Sequence, residues 1–301
     1  MEALKGLKLR DLYRIVNQPN EEFDAFLQNL GLLPRGKTCE CGYNMSLGFK
    51  DKNKRSPIFR CFKAGCRKNK GFFVGTFFEQ SRLTTKEVFE LSYFWTRNNY
   101  TQEEIAFQME REDGTSLSTQ TITDWNNSFR DIAVEYCVNH PAKLGGTDRT
   151  VEIDETIIAK RRYGRGRDVR EQLIFFGVDV ESGDCFLVRV SDRSAATLLP
   201  IIQEHILPGT TVVSDDWATY RQLQSVQSPN SMFNFVNPET YACMNRNESL
   251  WHKFKSSHKS RYGTHRSLLS AYVEEYVWRK RFRGPDAFYE LWNQIKTLYP
   301  C

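Results

Sequence analysis

Between residues 150 and 214 the chain alternates in a way that leaves few folds open. "TVEIDETII" (150–158) is β-rich with a period of two, and "QLIFFGVDVE" (172–181) and "DCFLVRV" (184–190) read as two more strands. Glu181-Ser182-Gly183-Asp184 supplies a hairpin turn between them. A helix at about 195–206 leads through Pro208-Gly209 to a strand over 211–214. Three hairpin-linked strands, a helix and a fourth strand match the order of a ribonuclease H-like sheet. In that order the first and fourth strands lie side by side.

Both of those strands carry acids. The period of two places Glu152, Asp154 and Thr156 on one face of the first strand and Val151, Ile153 and Ile157 on the other. Asp215 and Asp216 follow directly on the apolar run Thr211-Val212-Val213. Two-metal phosphoryl transfer needs a pair of divalent ions roughly 3.5–4 Å apart, bridged and flanked by carboxylates. Magnesium takes oxygen ligands, so Asp154 in mid-strand and Asp215 at a strand end suit that chemistry. A third carboxylate should arrive on a helix packed beside the sheet, and Glu248 in "NRNESLWHKFK" is the candidate. Each acid has a structural alternative. Glu248 with Asn245 has the form of an N-capping box, Asp215 and Asp216 suit a turn or cap, and Asp154 suits a solvated strand face beside Glu152 and Glu155.

Upstream, four of the eight cysteines fall within 28 residues: Cys39, Cys41, Cys61 and Cys66. Two close pairs separated by a basic hairpin (Met45 to Phe49, a polar turn over Asp51 to Ser56, Ile58 to Arg60) read as a zinc ribbon with a four-thiolate structural Zn2+ site. The Cys39-x-Cys41 gap is narrower than usual and the Cys61-x4-Cys66 gap wider, and buried free thiols are the alternative. A helical series follows: Thr85 to Arg97, Thr101 to Glu110 opening on a Thr101/Glu104 capping box, and about Ser118 to Tyr136. Three short helices with a polar turn before the last resemble a helix-turn-helix, and so do many bundles that bind nothing.

Charge narrows the partner. The net charge of +5 conceals +9 over residues 35–70, +5 over 160–170 and +7 over 252–283, so the remainder carries −16. Clustering on that scale suggests a polyanion such as double-stranded DNA. No apolar run is long enough for a membrane span, so no membrane partner is expected. The amino-terminal Leu4, Leu7, Leu12 and Ile15 read as an amphipathic helix rather than a secretory signal, which points to an intracellular protein that is not secreted. The expected organisation is an α/β (α+β) chain. It comprises a helical segment (1–35), the zinc ribbon (36–80), a helix-turn-helix-like domain (81–145) opening through a Gly145-Gly146-Thr147 linker into a ribonuclease H-like domain (146–283), and a helical tail (284–301).

Several stretches occur together in one order: Val151-Glu152-Ile153-Asp154-Glu155, Lys160-Arg161-Arg162-Tyr163-Gly164-Arg165-Gly166-Arg167, Pro208-Gly209-Thr210-Thr211, Ser214-Asp215-Asp216-Trp217-Ala218-Thr219-Tyr220 and Asn247-Glu248-Ser249-Leu250-Trp251. With the cysteine ribbon and Gly75-Thr76-Phe77-Phe78, they resemble the Merlin superfamily of DDE transposases and its bacterial insertion-sequence relatives, over roughly residues 39–283. The resemblance implies a catalytic triad of Asp154, Asp215 and Glu248 holding Mg2+ (or Mn2+), with Asp216 at a variable position. It also implies cut-and-paste cleavage at terminal inverted repeats, strand transfer into target DNA and nuclear action in a eukaryotic host. Arg161, Arg162, Arg165 and Arg167 would clamp the DNA backbone beside Asp154, with Lys253 and Lys255 flanking the third acid. Processing both transposon ends together implies at least a homo-oligomeric pair. The chain departs from the pattern at Phe235-Val236-Asn237-Pro238, where relatives commonly carry Val-Asn-His, and in the lead-in Cys243-Met244-Asn245-Arg246-Asn247. A domesticated, catalytically inactive DNA-binding protein is the alternative reading.

Overall fold

The computed structural model describes residues 1–50, 57–157, 173–214, 233–236 (backbone only), 254 and 268–301. They form two compact units, Met1–Ile132 with Gly284–Cys301, and Ala133–Arg283.

The first unit opens on a 3-10 turn, Glu2–Leu4, followed by α1 (Leu9–Val16) and α2 (Asn20–Leu30). The single amphipathic helix expected over this stretch is interrupted, because Lys5 is extended (ψ 133°) and the chain re-enters a helix only at Leu9. The apolar spacing survives the break, and Leu4, Leu7 and Leu12 are all buried. Next come four short strands, β1 (Lys37–Thr38), β2 (Asn44–Phe49), β3 (Pro57–Arg60) and β4 (Asn69–Gly71), paired in that order. Leu47 sits opposite Phe59, and Phe59 stacks on Phe72 at 5.7 Å to give the small sheet its core.

α3 (Thr85–Arg97), α4 (Gln102–Gln108) and α5 (Thr119–Asn139) follow. Thr84 caps α3 reciprocally: its hydroxyl accepts from the Glu87 amide (3.2 Å) and its own amide donates to Glu87 Oε2 (2.7 Å). Thr101 Oγ1 accepts from the Glu104 amide at the start of α4.

The second unit is built on a five-stranded sheet of β6 (Thr150–Ile157), β7 (Leu173–Asp179), β8 (Cys185–Val190), β10 (Thr210–Val213) and β11 (Phe233–Val236), ordered β11-β10-β6-β7-β8. The pairs β6–β7 and β7–β8 are antiparallel; β10 runs parallel to β6, and β11 parallel to β10. Three antiparallel strands with a fourth and fifth added parallel beside the first are the ribonuclease H-like arrangement. Helix α6 (Ala195–His205) makes the crossover and packs Leu198 and Ile202 on Val151, Ile153, Phe175, Phe186 and Val212. Helix α7 (Leu269–Arg281) packs against β8.

The glycine pair that reads as a linker is a fixed part of this unit. β5 (Leu144–Gly145) pairs in parallel with β9 (Ile206–Leu207), and Gly145, at φ +79°, approaches Thr210 so closely that a Cβ would lie 2.2 Å from its Oγ1. Buried Asp179 accepts hydrogen bonds from the amides of Gly145 (3.0 Å), Glu181 (3.0 Å) and Ser182 (2.9 Å) and from Arg149 Nη2 (2.7 Å). Burial raises its pKa, but these amides and the guanidinium outweigh it and hold the carboxyl below the usual range. Replacing Gly145 by alanine should destabilise the second unit by about 2–3 kcal/mol, from forced backbone movement and the left-handed φ; denaturant unfolding measures this.

From the second unit the chain returns to the first as α8 (Ala287–Leu298), which packs on α3. Phe89 of α3 meets Phe288 edge-on at 5.0 Å, and Trp292 Nε1 donates to buried Ser92 Oγ at 3.0 Å. Burial, helped by the charge of Glu87 one turn away, pushes the Glu90 carboxyl on α3 up to about 7. A carboxyl raised on folding contributes its stability fully below the unfolded pKa and loses it as pH rises through the folded value. The first unit should therefore weaken between about pH 4.5 and 7, and Glu90→Gln should restore about 1–3 kcal/mol at pH 8 with little change at pH 4, measured by unfolding at each pH.

Candidate functional site

The described residues offer one complete cluster of metal-ligating side chains. Sγ atoms of Cys39, Cys41, Cys61 and Cys66 all lie within 4.8 Å of one another, and the 39–66 and 41–61 pairs stand 3.6 Å apart. A tetrahedral zinc ion with sulfur ligands at roughly 2.3 Å has ligand–ligand edges of roughly 3.8 Å, so the four thiols are already spaced to take one.

Local backbone explains how the uneven spacing converges. In the first half, the Cys39 amide donates to the Tyr43 carbonyl (2.9 Å) and the Gly42 amide to the Cys39 carbonyl (2.8 Å), curling the narrow Cys39-x-Cys41 pair into a knuckle. In the second, the Cys61 amide donates to Lys68 O (2.9 Å) and the Cys66 amide to Lys63 O (3.1 Å). Gly42 and Gly65, both at φ +81°, make these turns in a region that L side chains avoid. The Tyr43 amide holds the Cys41 thiol down at about 7, whereas burial pushes Cys61 up to about 12. Metal uptake must displace the remaining thiol protons, so acid opposes binding. We expect Cys41→Ser or Cys61→Ser to lose the bound zinc that elemental analysis finds in the wild type, while Cys137→Ser and Cys185→Ser keep it.

The second candidate locus is the middle of β6. Asp154 stands opposite Phe176 of β7, and its Oδ1 accepts from the Glu155 amide at 2.6 Å. Glu152 and Glu155 on either side are buried, at 5% and 9% exposure, so the solvated strand face considered from sequence is not what forms. Because Val151 and Ile153 enter the core beneath α6, alternation puts Glu152 and Asp154 on the opposite face. The parallel register Val212↔Val151 and Val213↔Glu152 sets the carboxyl end of β10 beside the same stretch of β6.

The remaining expected site residues, Asp215, Glu248, Arg161, Arg162, Arg165, Arg167, Lys253 and Lys255, lie outside the described residues, as does Asp216. The structure thus brings the four cysteines together and places Asp154.

Residues 143–281 match the family model of the ISXO2-like transposase domain, just under half of the chain. Over this segment the chain is similar to a DDE transposase domain. The match runs from the strand pair at Leu144 through the whole ribonuclease H-like sheet to the end of α7. Among solved structures, the chain is similar to the HTLV-2 integrase catalytic core domain in complex with magnesium. That similarity has 10% identity and a TM-score of 0.29, covering 46% of this chain and 86% of that one. It is also similar to a chain of the simian T-cell lymphotropic virus intasome in complex with PP2A regulatory subunit B56 gamma, at 12% identity and a TM-score of 0.31, covering 53% of this chain and 57% of that one. No curated protein gives a significant match. No described helix is long and apolar enough to cross a membrane.

Outside the matched segment, residues 109–118 join α4 to α5, with Asp113 Oδ1 accepting from the Thr115 amide (2.9 Å). This connection is longer than the three- or four-residue turn of a DNA-binding helix-turn-helix. The exposed charges of α5 are Asp124, Asp131 and Glu135, and its one basic side chain, Arg130, is buried. In the ribbon, by contrast, Lys63, Arg67, Lys68 and Lys70 are exposed. Sequence reasoning passed over two exposed aromatics there, Tyr43 and Phe62, whose signal was an aromatic within two positions of a cysteine in each half.

Proposed function

We propose that this protein is a DNA transposase of the Merlin kind, cutting double-stranded DNA at terminal inverted repeats and joining the freed end to target DNA. The observation that carries the reading is the parallel β6–β10 pairing inside the segment that matches the transposase model, which sets the carboxyl end of β10 beside the strand bearing Asp154. Asp154, Asp215 and Glu248 would hold Mg2+ or Mn2+, since hard divalent cations take carboxylate oxygens. Bound there, such a pair lowers the pKa of an attacking water and stabilises the oxygen that leaves.

Hydrolysis breaks one phosphodiester bond and leaves a 3′ hydroxyl and a 5′ phosphate. In the joining step that 3′ hydroxyl attacks a target phosphodiester, one P–O bond forming as another breaks, so no external energy source is required. Asp154 is anchored for this role by its strand and by the Glu155 amide. Arg161, Arg162, Arg165, Arg167, Lys253 and Lys255 would hold the DNA backbone, and the ribbon with its Zn2+ would hold the transposon end. Two ends processed together call for a homo-oligomer, acting in the nucleus if the host is eukaryotic.

The test is a metal-dependent cleavage and strand-transfer assay on DNA bearing the matching inverted repeats. Asp154→Asn should lower cleavage by roughly a thousandfold while leaving zinc content and DNA binding unchanged. Wild-type protein that binds these ends but cuts nothing with either Mg2+ or Mn2+ would instead establish the domesticated, non-catalytic DNA-binding reading.

A further inference from the structure

We infer that the metal end of the ribbon is a stacking surface for unpaired nucleobases, so that this protein grips a frayed or distorted DNA terminus in preference to an intact duplex. The inference rests on the DNA transposase reading above and specifies what the ribbon recognises.

Its first support is exposure without a structural use. The core of the ribbon consists of Met45, Phe59 and Phe72, all buried, yet Tyr43 is 45% exposed and Phe62 64% exposed. Both rings lie outside that buried core and offer a face to solvent. The second support is where they sit. Phe62 is the residue after Cys61, and Tyr43 lies two after Cys41; those two sulfurs are 3.6 Å apart, and Lys63 Nζ donates to the Cys41 carbonyl at 3.3 Å across the two halves. Both rings are therefore borne on backbone clamped by one set of four thiols, which lowers the entropy lost when a ligand binds.

Charge identifies the ligand. Lys63, Arg67, Lys68 and Lys70 are exposed around the second half, and the one acid among the described residues of 35–70, Glu40, is held by Lys68 at 2.5 Å. Exposed π-faces among cations are the means by which proteins hold single-stranded nucleic acid, with rings taking the bases and cations following the phosphates. An intact duplex buries its base faces in the stack, so such rings gain contacts only where bases are unpaired or unstacked. A nicked or cut end frays more readily than the interior of a duplex, because its terminal bases have lost a stacked neighbour.

The experiment uses the full, zinc-loaded chain in buffer without magnesium or manganese, so that nothing is cut. Fluorescence anisotropy compares a blunt duplex with the same duplex mismatched at its terminal base pairs. Wild type should prefer the mismatched end about five- to tenfold, and Tyr43→Ala/Phe62→Ala should bind both alike with its zinc content unchanged. Equal binding of the two DNAs by wild type, or a preference that survives in the double variant, overturns the inference while leaving the transposase reading standing. A surviving preference accompanied by altered sedimentation of the double variant assigns the rings to a protein interface. Failure of wild type to bind either DNA at low salt removes both readings.

Discussion

The backbone ladder between β6 and β10 is the constraint on which the second unit depends. Parallel pairing of these strands requires a crossover, and α6 supplies it, burying Leu198 and Ile202 on the face shared by Val151, Ile153 and Val212. Once that face is closed, the two-residue period of β6 leaves Glu152 and Asp154 no choice of side. A one-residue slip would push both acids into the apolar core and expose Val151 and Ile153. The registration that stabilises the sheet is thus the same one that orients its acids, and Asp179 with Gly145 and Thr210 locks the entry to it.

Charge is unevenly distributed between helix α5 and the ribbon. Helix α5 has the length and the polar first turn of a reading helix, but its exposed charges are acidic. Lysines and arginines gather instead on the ribbon, whose hairpin is too small to persist on its own apolar contacts and depends on the four converging thiols. With a metal on its four thiols the hairpin would present cations and rings on a stiff support, whereas an acidic helix face repels phosphates.

Much of this was legible in the sequence, for identifiable reasons. Strands β6, β7 and β8 and helix α6 were readable because their apolar periods are strong and Glu181–Asp184 is an unambiguous turn. The cysteine centre was readable despite its odd spacing because ligand pairs tolerate variation that the backbone turns at Gly42 and Gly65 absorb. Three features were not readable. The break at Lys5 leaves the apolar spacing of the first helix intact; Gly145-Gly146 has the composition of a linker and the structure of a strand end; and the alternation of Glu152 with Val151 is the same for a solvated strand and a buried one.

Residue order by itself determined the element types, the candidate acids and the thiol set, because periodicity, turn chemistry and ligand type are local properties of the chain. Only tertiary structure decided that Glu152 and Glu155 are buried, that the β10 end lies beside Asp154's strand, and that Tyr43 and Phe62 are left in solvent. Burial and register arise from which distant segment covers a given face, and no local pattern carries that information.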